Sequence, residues 1–259
     1  MNRRRPAAFT LVEVMVSMTV VTIVMGMCLS TFLMGMRTLY KDNQRLATNA
    51  SLRSFMAQIS KETLDASYFY VFPYYTSITN NINLTTAPAS MTQIENAADD
   101  DYDKWVAHGD CLVLVTRTSQ FRTTDIRQIR IYYRTTTSQS QRNSEAALRY
   151  YETADWGEGT ASSSNGHTNL ATELNAINLN ANPQRSGSRL IHARTVGRLV
   201  PSPYTGYAAG DRYPIFCTES PDSTPTNGFI SLNLEFINGS TTNNLLSSSS
   251  FNYTISPRR

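Results

Sequence analysis

The chain has 259 residues, 41% of them hydrophobic and 17% charged, with a net charge of +3 and a pI near 8.8. That length accommodates one large domain or two small ones, and a surplus of three positive charges is too weak to mark a nucleic-acid or anionic-surface binder. The apolar residues crowd the N-terminus, while the remainder is rich in Ser, Thr and Asn, the pattern of a membrane-anchored chain with a polar, extracytoplasmic body.

A short leader, Met1 to Ala8, carries Arg3, Arg4 and Arg5, and Val14 to Met36 then contains no charged side chain. As a helix rising 1.5 Å per residue this run spans about 35 Å, enough for a hydrocarbon core of about 30 Å. The leader arginines favour a cytoplasmic N-terminus. Arg37 and Lys41 follow the run, so charge bias alone orients it weakly. A cleaved secretory signal has an apolar region of about 7–15 residues and a small-residue cleavage site. Here the run is longer and no such site follows, and the same excess length counts against a twin-arginine signal. A plain signal anchor accounts for length and charge but leaves Glu13 unexplained. A carboxylate near the centre of a membrane helix costs about 2.5–3.5 kcal/mol, and less near an end.

The block Arg3-Arg4-Arg5-Pro6-Ala7-Ala8 followed by Phe9-Thr10-Leu11-Val12-Glu13-Val14-Met15-Val16 resembles the class III signal of type IV pilins and pseudopilins. The resemblance implies cleavage by a prepilin peptidase between Ala8 and Phe9, and methylation of the new Phe9 amine. It makes Glu13 the carboxylate that pairs with the methylated amine of a neighbouring subunit during assembly. A buried carboxylate is tolerable when an opposite charge meets it. Two departures stand out: the family usually has Gly where this chain has Ala8, and the proline many major pilins carry midway along the helix is absent. Gly26 and Gly35 are the weak points of the run.

Arg37 to Ala66 continues as helix, because neither Pro nor Gly occurs before Pro73 and Leu52, Phe55, Met56 and Ile59 form one amphipathic stripe. From Tyr68 onward the signal turns to strands. Ile230, Leu232, Leu234 and Phe236 alternate with Ser231, Asn233 and Glu235, and Ile129, Ile131 and Tyr133 alternate with Gln128, Arg130 and Tyr132. Cys111 to Val115 reads as a buried strand, with Leu148 to Tyr151 and Phe251 to Ile255 as further candidates. The expected fold is α+β: a long helix, half in the membrane and half amphipathic, against an antiparallel β-sheet whose apolar face covers the stripe. The polar stretches Thr76 to Asp103, Trp156 to Ser188 and Thr241 to Ser250 read as long loops. The expected divisions are a leader at 1–8, a transmembrane and assembly helix at 9–36, its amphipathic half at 37–66, and a β-rich body at 67–259. Leu52 to Ala66 also looks like the equivalent region of minor pilins of the W and J types, and the C-terminal strand, loop and strand ending in Pro257-Arg258-Arg259 is compatible with J-type pseudopilins.

Little chemistry is encoded. Cys111 and Cys217 are a possible disulfide in an oxidising compartment, or two unrelated buried thiols. Asp99, Asp100, Asp101 and Asp103 cluster beside Tyr102, and Asp99, Asp101 and Asp103 are weak calcium candidates because the spaced acidic loop and its glycine are missing. His108, His167 and His192 lack ligand spacing, and no nucleophile elbow, phosphate loop or dinucleotide fingerprint occurs. No enzymatic activity and no cofactor are expected. Arg122, Arg127, Arg130, Arg134, Arg142 and Arg149, interleaved with Tyr132, Tyr133, Tyr150 and Tyr151, read either as a DNA-holding surface or as ordinary solvent faces of strands, the second being preferred.

The resemblance implies a minor pilin-like subunit or pseudopilin in the bacterial inner membrane, with its body in the periplasm or exterior. Its partners would be other pilin subunits, the prepilin peptidase and an inner-membrane assembly platform. The alternatives are a filament-tip adhesin or DNA-binding pilin, and an uncleaved, signal-anchored periplasmic protein.

Overall fold

A computed structural model describes residues 10–79, 92–94, 104–118, 125–138, 141–157, 163–179, 184–200, 210–220, 229–239 and 247–255. The fold is α+β. One unbroken helix, α1 (Leu11–Asp65), carries a ten-stranded antiparallel sheet on its C-terminal half. The strands are β1 (Tyr68–Phe72), β2 (Thr92–Ile94), β3 (Lys104–Gly109), β4 (Cys111–Arg117), β5 (Ile126–Arg134), β6 (Ala146–Glu152), β7 (Arg189–Gly197), β8 (Phe216–Ser220), β9 (Phe229–Asn238) and β10 (Ser247–Ile255). A 3-10 turn (Tyr75–Thr79) and a short helix, α2 (Leu170–Ile177), complete the described elements.

Strand β9 is the hub. One edge pairs along its length with β10, and the other is shared end to end by β7 at Leu234–Phe236 and β8 at Phe229–Leu232. From β7 an arm runs through β6, β5 and β4 to β1, and from β8 a shorter arm runs through β3 to β2. The two arms are joined by covalent chain, because β3 passes into β4 through the single residue Asp110. At that corner Asp110 N donates to Pro73 O at 2.9 Å, just beyond β1. Gly109 is required there, since an added Cβ would collide with the Phe72 carbonyl.

The sheet is buried on both faces. Leu52, Phe55, Met56 and Ile59 of α1 pack on one face with Leu112, Leu114, Leu148, Leu232, Leu234 and Phe236. Both expected patterns therefore meet: the helical stripe lies on the inward set of β9, with Ile59 and all four apolar β9 positions fully buried. The opposite face, with Val113, Val115, Ile129, Ile131 and Tyr133, is covered by Tyr75 and Ile78 of the 3-10 turn and by Leu170, Leu174 and Ile177 of α2. Helix α2 lies within the stretch expected to be a loop from Trp156 to Ser188. Its start is fixed by Asn169, whose side chain accepts from the backbone N–H groups of Ala171 and Thr172. Likewise Ser247 to Ser250, expected as loop, pair with Glu235 to Asn238 as the first half of β10.

At the corner, the Asp110 carboxylate Oδ2 accepts from Arg134 Nη2 at 2.7 Å and Nε at 3.0 Å, and from Thr136 Oγ1 at 2.8 Å, while Oδ1 accepts from Ile215 N at 3.3 Å. The Arg134 guanidinium also donates to the carbonyls of Gln141, Arg142 and Ser144. Arg134 is the largest fully buried side chain. A buried ion pair is tolerable only when its remaining donors and acceptors are met, and here they are met from both arms of the sheet.

Two expectations are corrected. Cys111 and Cys217 are free thiols, not a disulfide. Cys217 sits opposite His108 in the ladder, across the Asp110 corner from Cys111. The arginine and tyrosine series is not a solvent face throughout either, although Arg127 is exposed and Arg122 lies outside the described residues. Tyr132, Tyr133 and Tyr150 are buried and Arg134 is neutralised inside, so these rings are not available to stack on bases.

Candidate assembly site at the head of the long helix

The helix begins with a reciprocal cap. Thr10 has an extended backbone (φ −76°, ψ 149°), its Oγ1 accepts from Glu13 N at 3.3 Å, and the Glu13 carboxylate accepts from Thr10 N at 3.4 Å. Thr10-Leu11-Val12-Glu13 is thus a capping box, which satisfies two of the backbone N–H groups that a helix start leaves open. The spacing is plain in the sequence, yet the pilin resemblance drew attention to the carboxylate alone. Glu13 is exposed, in the first turn, where the positive end of the helix dipole favours an anion.

Beyond the cap, the membrane-length part of α1 presents an apolar surface to nothing among the described residues. Among the described residues it is the one helix long and apolar enough to cross a membrane, and none of its most apolar window is buried. Val12, Met15, Val16, Leu29 and Phe32 are all more than half exposed. Its few polar side chains turn back on the helix: Ser17, Thr22 and Thr31 donate to carbonyls four residues earlier at 2.7, 2.9 and 3.0 Å. Hydroxyls satisfied in this way can sit in hydrocarbon. Gly26 and Gly35 lie inside the continuous helix with open space around them.

The other half of α1 is bolted to the body by polar contacts as well as by its core stripe. Glu62 accepts from Tyr132 OH at 2.6 Å, Tyr150 OH at 3.0 Å and Gln58 Nε2 at 2.8 Å. Tyr150 OH also reaches Glu152 Oε2 at 2.7 Å. Burial and then the Glu62 carboxylate push the Tyr132 phenol far above its ordinary range. Tyr150 is raised by burial, then by Glu152 and Glu62. Nearer the membrane run, Asn238 Nδ2 donates to the buried Thr48 Oγ1 at 2.6 Å and Ser249 Oγ to Asn49 Oδ1 at 2.7 Å. This polar seam joins residues up to 200 positions apart, and no local pattern announces it.

The remaining candidates do not converge on the helix head. Ala8 and Phe9 lie outside the described residues, as do Asp99, Asp101 and Asp103. Burial raises the Cys111 thiol well above its usual range and pushes Cys217 up to about 11, so both are poor nucleophiles at neutral pH. His167 stacks on Trp156 and His192 on Phe236. Among the described residues no three His, Cys, Asp or Glu side chains gather as a metal site.

Residues 3–29 match the family model of the prokaryotic N-terminal methylation motif, which is the class III signal of type IV pilins. This N-terminal segment is pilin-like. The match covers the leader, the capping box and the first half of the apolar helix, and it supports processing of this pilin-like chain by a prepilin peptidase. No curated protein and no solved structure matches the chain. The body of the pilin-like chain therefore rests on its own geometry, and the long apolar helix carrying an antiparallel sheet is the arrangement typical of pilins.

Proposed function

We propose that the chain is a minor pilin-like subunit, a pseudopilin, that waits in the bacterial inner membrane and is then built into, or primes, a pilus or pseudopilus. The observation that carries this reading is the methylation motif at residues 3–29 running without a break into a helix whose whole circumference is apolar and unpartnered. Cleavage between Ala8 and Phe9 leaves a cationic amine four residues before Glu13. In the separate chain the Glu13 carboxylate serves its own helix start through Thr10. In the assembly it meets the methylated Phe9 amine of a neighbouring subunit, and the ion pair offsets the desolvation of both groups. Helix packing against other pilin subunits, loaded by an inner-membrane platform, supplies the rest of the free energy. The body faces the periplasm and makes lateral contacts; its role is structural, not catalytic.

The test is the intact mass and N-terminal sequence of the protein extracted from its native membrane. A chain beginning at methylated Phe9 is the expected result and establishes that Ala8 is an acceptable residue before the cut. A chain still beginning at Met1 overturns the processed-subunit reading in favour of a plain signal anchor.

A further inference from the structure

A single ladder of three- and four-residue steps runs along the extramembrane half of α1. Its upper rungs, Thr48, Leu52, Phe55, Ile59 and Thr63, are the residues buried on the sheet. Carried toward the membrane, the same ladder passes through Arg45, Lys41 and Arg37. The cations therefore occupy the side of the helix that faces the body, but below Thr48, the lowest described contact between helix and sheet. All three are exposed, and among the described residues none is held in an ion pair.

Their height is informative. Arg37 is the first residue after the uncharged run, Lys41 is about 6 Å and Arg45 about 12 Å further along the helix, and the headgroup layer begins where the hydrocarbon ends. The side chains of a helix lean toward its N-terminus, which here is the membrane end, so all three cations lean toward the bilayer. Tyr40, 53% exposed between Arg37 and Lys41, is the aromatic type that settles at that interface. Like charges at four-residue steps repel one another. Cations on the far side of the membrane from Arg3, Arg4 and Arg5 also blunt the orientation signal. Asp42, three residues from Arg45, is the one carboxylate in this segment, so a row of three cations that works against both helix and topology still calls for further anions beside it.

We propose that Arg37, Lys41 and Arg45 form a docking stripe for the headgroups of anionic phospholipids, held between the outer leaflet of the inner membrane and the underside of the body. This inference rests on the membrane-anchored reading. The stripe fixes the height and facing of the body above the bilayer, and it is released when the subunit leaves the membrane for a filament.

The experiment reconstitutes the full chain in vesicles of phosphatidylcholine and phosphatidylglycerol, re-extracts it gently, and counts the retained lipids by mass spectrometry. The expected result is a ratio of phosphatidylglycerol to phosphatidylcholine among the retained lipids raised up to about five-fold over the bulk ratio, the factor one basic residue contributes at an anionic surface. The variant R37Q/K41Q/R45Q returns to the bulk ratio. The control R53Q/K61Q/R198Q removes the same charge from exposed positions off the stripe and keeps the enrichment. Absence of enrichment in the unmodified chain, or enrichment that survives the stripe variant, overturns the proposal, as does cross-linking of the stripe to an acidic protein with lipid at its bulk ratio. Flotation of the same samples separates the two levels: a chain that inserts without enrichment sinks the stripe alone, whereas one that fails to insert sinks the anchored reading beneath it.

Discussion

The two halves of α1 are one uninterrupted helix under opposite solvent rules. From Val14 to Met36 the surface is uncharged and exposed all round, so no side is privileged and no rung is tied to the other described residues. From Thr48 to Thr63 the helix has a dry side and a wet side, and a handful of rungs carries the whole attachment to the sheet. The difference teaches where specificity lies: the first half can choose partners only from outside the chain, whereas the second has already chosen its partner.

The comparison breaks hardest at the corner that holds the sheet together beneath the helix. Asp110→Ala leaves the Arg134 guanidinium buried without its carboxylate, a loss of about 3–5 kcal/mol, and denaturation of the full chain in detergent should show it. Helix content from the membrane half should persist after the body has melted, because nothing in that half leans on the sheet. Ile59→Ala, a fully buried rung, is expected to cost about 2–5 kcal/mol. The matching change Val21→Ala, on a residue 60% exposed, should leave the melting of the body where it was. Equal effects of the two would abolish the distinction between the halves.

The same contrast explains what the sequence discloses. The stripe Leu52, Phe55, Met56 and Ile59 and the alternation of Ile230 to Phe236 are legible because each has one buried side, and a one-sided element writes its period into the chain. Strand β5 was half legible: Ile129 and Ile131 stand out, but Tyr132 and Arg134, buried on a sheet covered on both faces, look like surface residues. Helix α2 was missed because eight residues amid Ser, Thr and Asn hide the spacing of Leu170, Leu174 and Ile177, though the Asn169 cap was there to be read. Strand β10 lost its first half to a run of four serines, tolerated because they lie at the edge of the sheet. At the helix head the carboxylate and, in the Thr10-to-Glu13 spacing, its capping role are both legible. The Asp110–Arg134 pair and the Glu62–Tyr132 seam join distant segments, and no local pattern reports them.

That seam gives the next, smaller effect. The Tyr132 and Tyr150 phenols are held protonated above their ordinary value of about 10. A group whose folded pKa is raised contributes stability that is fully present below its unfolded pKa and is lost as the pH rises past it. The body should therefore weaken above about pH 10, and Y132F should flatten that decline while Y68F, whose ring lies instead under Arg117, should not. Denaturation midpoints across the alkaline range decide it, and parallel declines in both variants would place the sensitivity elsewhere.

The smallest effect on the folded chain should come from Glu13, the residue we propose for the assembly ion pair. Glu13→Ala removes half of the capping box, worth about 1 kcal/mol of local helix stability, at an exposed end more than thirty residues from the nearest buried rung, Thr48. The melting of the body should not move, and membrane insertion should improve if anything, since a charge has left the apolar run. Incorporation into filaments, scored by pelleting sheared material beside the native assembly, should nevertheless fall sharply. Glu13→Gln separates the two roles. The amide still accepts from Thr10 N and so keeps most of the cap, but it carries no charge to offer a neighbour's amine. If Glu13→Gln assembles normally and Glu13→Ala does not, the cap is the function of this carboxylate and the intersubunit ion pair is not. If both fail alike, the charge is what assembly requires.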